Sequence, residues 1–278
     1  MERRRRAVKG EWMTQMENER KPGAVSHIMR SDTVGDDFKI SVSLPKKYDP
    51  AAKHPVVYLM DANIFFGLVA GTAHLLQFGD EIPQAIVVGV GYPDGADHLT
   101  LRNRDYCPTP YNLPEVAGGA ADFLKFLCGE LMPYIENAYS VDPSKTVLAG
   151  DSLSGLFGMY VLFHRPQAFA GYIIGSPSLY WDDRVTFSYE AQYAAHNDDL
   201  CANVFMSAGA LEAVYEPAFA AMVGNVVEME KVLRKRAYPS LKLKTHIFED
   251  ETHLSVIPAT MSRGLRAVFE MMGEPGNS

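Results

Sequence analysis

Near the middle of the chain, Gly150-Asp151-Ser152-Leu153-Ser154-Gly155 sets a hydroxyl among small residues, where an apolar run, TVLAG, meets a helix-compatible run, SGLFGMYVLFHRP. A serine hydroxyl attacks a carbonyl only when a base takes its proton and an acid orients that base. Of the histidines after Ser152, His164 lies on the helix leaving the turn, His196 in a polar loop and His246 within a strand-like run. His253 falls just beyond the last strand-like run, in FEDETHLSV, where a loop can return its imidazole to the serine. Glu212, in SAGALEAVYEP, follows the preceding strand-like run and is the favoured acid, with Asp182, Asp183 and Asp250 as alternatives. The developing oxyanion needs two fixed N–H donors, each worth ~3–4 kcal/mol of barrier. Leu153 N–H is the first. The loop Met60-Asp61-Ala62-Asn63 supplies the second, assigned to Asn63 with Ala62 as its neighbour.

Two architectures use such letters. In the class named for GDSL, the serine follows the first strand and a later G-x-N-D block supplies oxyanion donors. Here about five strand-like runs precede Ser152 and no G-x-N-D occurs, although Asp250-Glu251-Thr252-His253 matches that class's D-x-x-H. The strand–turn–helix setting instead fits a nucleophile elbow, G-x-S-x-G, whose serine is forced to positive φ because strand and helix backbones pass in contact there. Gly150 supplies one glycine. Ser154 replaces the other, with Gly155 behind it, and serine is small enough to be tolerated. A helix-capping surface serine would carry the same letters.

The elements that would position these groups alternate along the chain. Runs at 24–31 and 38–45 have a period-2 pattern around a TVGDD turn, and 55–61 and 85–92 are continuous apolar strands bracketing a helix at 64–78. Residues 93–117, rich in Pro and Gly, read as one long functional loop. A helix at 119–139, bent at Pro133, precedes the strand 146–150, the helix 154–166 and the strand 171–177. Strands at 203–209 and 242–249 then alternate with helices at 216–237 and 257–272, leaving 178–202 as a small cap. The pattern predicts an α/β fold with a mostly parallel sheet of about eight strands and helices on both faces. Residues 1–22, polar and without periodicity, read as a flexible N-terminal extension, and 23–278 as a single domain.

The 278 residues, 47% hydrophobic and 22% charged, suit a soluble globular chain. A net charge of −8 argues against a nucleic-acid partner, and the longest basic run is Arg3–Arg6. No stretch reaches the ~18 apolar residues of a membrane span, and no signal-peptide core follows Met1. Cys107, Cys128 and Cys201 form no metal or disulfide pattern, so reduced thiols, a cytoplasmic location and no metal or other cofactor are expected. The oligomeric state is left open, a homodimer included.

VVYLMDANIFF, RNRDYCPT, AGDSLSGLFGMYVLFHRPQAFAGYIIGSPSLYWDD, SAGALE and FEDETHLSVIPATMSRGLRAVF resemble the putative esterase family of the α/β-hydrolase superfamily, in its IroE-like, siderophore-esterase branch. The resemblance covers about residues 25–272. It implies the α/β-hydrolase fold, Ser152 as nucleophile, His253 as base and Glu212 as acid, with some relatives working by a Ser–His dyad. Asp151 stands where that branch usually has His or Ser, and its charge should be turned away from the reacting carbonyl. A two-step hydrolysis of a small-molecule ester is implied, of short acyl, aryl or siderophore-lactone type. Phe65, Phe66, Tyr180 and Trp181 are candidates to line the cleft. Arg102 and Arg104 are candidates to hold an anionic group, against a salt bridge with Asp105. A GDSL-type acylhydrolase, or a non-catalytic binding protein on the same scaffold, are the competing readings.

Overall fold

A computed structural model describes residues 24–215 and 219–273. The 1–22 extension lies outside the described residues. One sheet holds all eight strands: β1 (Ala24–Arg30), β2 (Asp37–Ser43), β3 (His54–Leu59), β4 (Ile86–Gly91), β5 (Val141–Asp151), β6 (Gly171–Gly175), β7 (Ala202–Gly209) and β8 (Leu241–Phe248), in the spatial order β1-β2-β4-β3-β5-β6-β7-β8. β2 runs antiparallel to both its neighbours, and β3 to β8 are all parallel.

Alternation along the strands builds two cores. Val56, Tyr58, Leu148, Tyr172, Ile174, Val204 and Met206 face one layer. Val57, Leu59, Val147, Ala149, Ile173 and Phe205 face the other, under α1 (Ala62–Phe78) and a C-terminal helix, Val256–Met271. Because both faces are covered, the central strands read as unbroken apolar runs. The edge strand β8 instead alternates, LKLKTHIF, and its lysines discourage pairing with another sheet edge.

Two elements depart from the sequence expectation. The predicted loop 93–117 contains a helix, α2 (His98–Tyr106), started by Asp97, whose carboxylate accepts the Thr100 N–H. It is largely polar and buries only Asp105 and Tyr106, so no apolar stripe marks it. The helix expected to bend at Pro133 is α3 (Ala120–Phe126), a π-helical turn at Leu127–Leu131, and α4 (Met132–Ala138). Pro133 has no N–H to continue the ladder, and the wider turn just before it absorbs the break.

The rest positions the site. Beyond β5 come α5 (Leu153–His164), α6 (Trp181–His196), α7 (Glu212–Tyr215), α8 (Ala220–Arg236) and the terminal helix α9 (Val256–Met271). Leu59 pairs with Ala149, Asp151 with Gly175, Gly175 with Ser207, and Gly209 with Phe248. This register brings the carboxyl ends of β3, β5, β6, β7 and β8 to one edge. Residues 60–63, 152, 176, 212 and 253 all follow that edge.

Candidate active site

Ser152 links β5 to α5 with φ 61° and ψ −118°. The turn is that tight because two backbones touch. A Cβ on Gly150 would sit 2.5 Å from the Ser154 carbonyl oxygen, and one on Gly155 would sit 2.6 Å from that of Gly175. The positive φ costs a non-glycine residue on the order of 1–3 kcal/mol, so the surroundings must hold it. They do so through Ser152 N–H to Gly175 O (3.0 Å) and Ser178 N–H to Ser152 O (3.1 Å).

The Ser152 Oγ lies 3.1 Å from His253 Nε2, and His253 Nδ1 lies 3.0 Å from Glu212 Oε2. Glu212 is fully buried, and its Oε1 accepts from Ser176 Oγ (2.6 Å) and Gly209 N–H (2.7 Å). Burial alone would raise this carboxyl, but the hydrogen bonds from His253, Ser176 and Gly209 outweigh it and hold its pKa below the ordinary glutamate value. An ionised carboxylate only accepts, so the imidazole proton sits on Nδ1 and the Nε2 lone pair faces the serine hydroxyl. The loops that carry the acid and the histidine are stitched together by Leu211 N–H to Glu251 O (3.0 Å). Phe219 stacks on the His253 ring with centroids 4.0 Å apart. Neither Ser176 nor Phe219 carries a sequence signal of its role, because both act across distant segments.

Asp250 turns its loop with φ 60°, and it is Glu212 that meets the imidazole. With Ser152 at the exit of the fifth strand rather than the first, the GDSL-type reading is not favoured.

Leu153 and Asn63 sit at the first turns of α5 and α1, where backbone N–H groups have no intrahelical acceptor. The Asn63 side chain clamps its helix start to the residue after β4, donating to Tyr92 O (2.8 Å) and accepting from Tyr92 N–H (2.7 Å). Such N–H groups can receive an oxyanion.

Around them, Trp181 is buried against Leu156 and Cys107, with Leu153 beside it, and donates from Nε1 to Thr109 Oγ1 (2.9 Å). Tyr111, which the sequence did not single out, meets the Trp181 ring edge-on at 5.5 Å and is 43% exposed. Tyr180 is half-buried at the start of α6. Burial pushes the neighbouring Cys107 thiol up to about 12, so it is no rival nucleophile.

Four of the cleft candidates have partners elsewhere in the fold. Phe65 and Phe66 pack against the core layer beneath α1. Arg104 is taken up by carboxylates, through Nε to Asp105 (2.8 Å) and Nη1 to Asp36 (2.6 Å), so the salt bridge prevails over anion capture. Arg102 likewise forks onto Asp61.

Asp151, expected to be turned away from the reacting carbonyl, is 1% exposed. Gly175 makes room for it, since a Cβ there would lie 2.3 Å from Asp151 Oδ1, and that oxygen has no hydrogen-bond partner among the described residues. Burial pushes the Asp151 carboxyl up to about 7, with His253 opposing the rise and Glu212 and Asp61 adding to it. In the unfolded chain it ionises near ~4. Between these values the folded state binds more protons, so the stability this group confers is present below pH ~4 and lost as pH rises to about 7. Asp151→Asn is therefore expected to be the more stable protein at pH 8, by up to about 4 kcal/mol, with the difference shrinking toward pH 4. Urea unfolding at the two pH values measures this, and a pH-independent difference would refute it.

The strand order, the single antiparallel reversal at β2 and the succession of serine, acid and histidine along the chain are those of the α/β-hydrolase class. Within that class the chain belongs to the family described as Putative esterase, which it matches over residues 31–252. It is a carboxylic ester hydrolase. The chain is 31% identical over 262 residues to the ferri-bacillibactin esterase BesA of Bacillus subtilis, covering 88% of this chain and 89% of that one. It is 27% identical to the siderophore triacetylfusarinine C esterase of Aspergillus fumigatus, over 85% of this chain and 90% of the relative. Among solved structures it resembles the BES protein from Bacillus cereus, with a TM-score of 0.80, 31% identity, and coverage of 90% and 95%. No helix among the described residues is long and apolar enough to cross a membrane.

Proposed function

We propose that the protein is a serine esterase that opens the ester bonds of a siderophore-type lactone through an acyl-enzyme. The observation that carries this reading is the unbroken hydrogen-bonded relay from Ser152 Oγ through His253 to Glu212, at 3.1 and 3.0 Å. Ser152 attacks the ester carbonyl as His253 Nε2 takes its proton, and the carbonyl oxygen becomes an oxyanion received by Leu153 N–H and Asn63 N–H. Collapse expels the alcohol, which takes the proton back from His253. Water then enters, gives its proton to Nε2 and adds to the acyl carbon, and Ser152 leaves reprotonated. Glu212 stays ionised and balances the imidazolium in each half.

One relative above is named a siderophore triacetylfusarinine C esterase and the other a ferri-bacillibactin esterase. The exposed Tyr111 stands edge-on against Trp181, which packs beside Leu153, and this pair of rings suits an aryl group carried next to the scissile ester. Carboxylic acids released from a catechol-bearing cyclic trilactone, compared by mass spectrometry with p-nitrophenyl acetate hydrolysis, test the substrate. The expected kcat/KM for the trilactone exceeds that for the acetate by at least about 100-fold, a gap of ~3 kcal/mol in transition-state binding. The opposite order would overturn the siderophore assignment and leave a general short-chain esterase.

A further inference from the structure

Ser154, which breaks the elbow pattern, does more than fit. Its Oγ accepts the Asp151 N–H at 2.9 Å and donates to Asp61 Oδ2 at 2.7 Å, with Asp151 O also within 2.8 Å. Ser154 lies in the first turn of α5, which carries the Leu153 donor. Asp61 is the residue before α1, which carries the Asn63 donor. This hydrogen bond therefore spans the two segments that hold the oxyanion donors.

Asp61 is gripped from a third side. Arg102 forks onto its carboxylate, Nε to Oδ1 at 2.8 Å and Nη2 to Oδ2 at 2.9 Å, and the Asp61 N–H donates to the Tyr106 hydroxyl at 3.0 Å. Arg102 and Tyr106 are one turn apart on α2, so one helix holds both the side chain and the backbone of Asp61. Asp61 needs this support, because its φ of 54° and ψ of 37° lie in the left-handed region. The carboxyl is 3% exposed, and buried polar oxygens need hydrogen-bond partners. Arg102 and Ser154 supply them.

We propose that Ser154, Asp61 and Arg102 form one positioning unit that sets the spacing of the Leu153 and Asn63 N–H groups, and that the serine standing in place of the elbow glycine is required for full turnover. The proposal rests on the serine-esterase reading above. Oxyanion donors act over ~2.7–3.1 Å, and a misplacement of about 1 Å costs on the order of 100-fold in rate. Removing the Ser154 hydroxyl leaves Asp61 short of a donor and the Asp151 N–H without its acceptor.

The test is Ser154→Gly, which restores the usual pattern, together with Ser154→Ala, which keeps the Cβ packing if the glycine variant melts early. Both are expected to lose about 10- to 100-fold in kcat with KM held within about 3-fold. The inhibition constant of a trifluoromethyl ketone, whose adduct carries an oxyanion, should rise in step with the loss in kcat/KM. Weaker packing alone would not produce that parallel. In an Asp61→Asn background, Ser154→Ala should add less than about 3-fold, as members of one unit do. Wild-type kcat in Ser154→Ala, or losses confined to KM, would overturn the proposal. Ser152→Ala separates the two failures: if it retains turnover the esterase mechanism falls, and if it is inactive while Ser154→Ala is unaffected only the positioning unit falls.

Discussion

Ser152→Ala is expected to fold like the wild type and to lose about 10⁴- to 10⁶-fold in kcat. The reason for both halves is local. Among the described residues the Ser152 hydroxyl meets the His253 Nε2 it faces, while the bonds that hold the turn run through the Ser152 backbone to Gly175 and Ser178. Alanine keeps those backbone bonds and bears the same positive φ, so the melting temperature should change little. What disappears is the atom that forms the acyl bond. The donors and the cleft remain, so the residual rate stays above that of water, as it does wherever a nucleophile is removed from an intact oxyanion site. Steady-state turnover with circular dichroism melts checks both halves.

Glu212→Gln is expected to cost about 10³- to 10⁴-fold in kcat, for a reason the surrounding donors dictate. Ser176 Oγ and Gly209 N–H both donate to Oε1, so in the variant the amide oxygen must occupy that position. The amide NH₂ then faces His253 Nδ1, which can only accept from it. The imidazole proton is driven onto Nε2, where it confronts the serine hydroxyl and leaves no lone pair to receive its proton. The ring stays in place, so KM should move far less than kcat. A variant retaining more than about a tenth of wild-type kcat would mean that the site runs on serine and histidine alone.

The relay was legible because its signals are local and ordered: small residues around Ser152, a carboxylate after one strand and a histidine after the next. The central strands were legible because burial on both faces leaves uninterrupted apolar runs. Helix α2 was not, since HLTLRNRDY presents no apolar stripe, and its start was marked only by Asp97 three residues before Thr100. With that helix unseen, Arg102 could be read as an anion holder when it in fact braces Asp61. Arg104 and Phe65 were read toward the cleft for a related reason. A long side chain near a loop has the same letters whether it faces a cleft, a carboxylate or the core, and long-range packing decides. Ser154 was read as a tolerated substitution because its partner lies 93 positions away.

The central claim is that His253 activates the Ser152 hydroxyl, and labelling with a fluorophosphonate tests it most directly, because only an activated serine displaces fluoride. Intact-mass and peptide analysis should find one adduct per chain, on the peptide containing Ser152. No adduct should form in Ser152→Ala, and it should form far more slowly in His253→Ala. A folded wild-type protein that stays unlabelled, or that carries the label on another residue, would contradict the account.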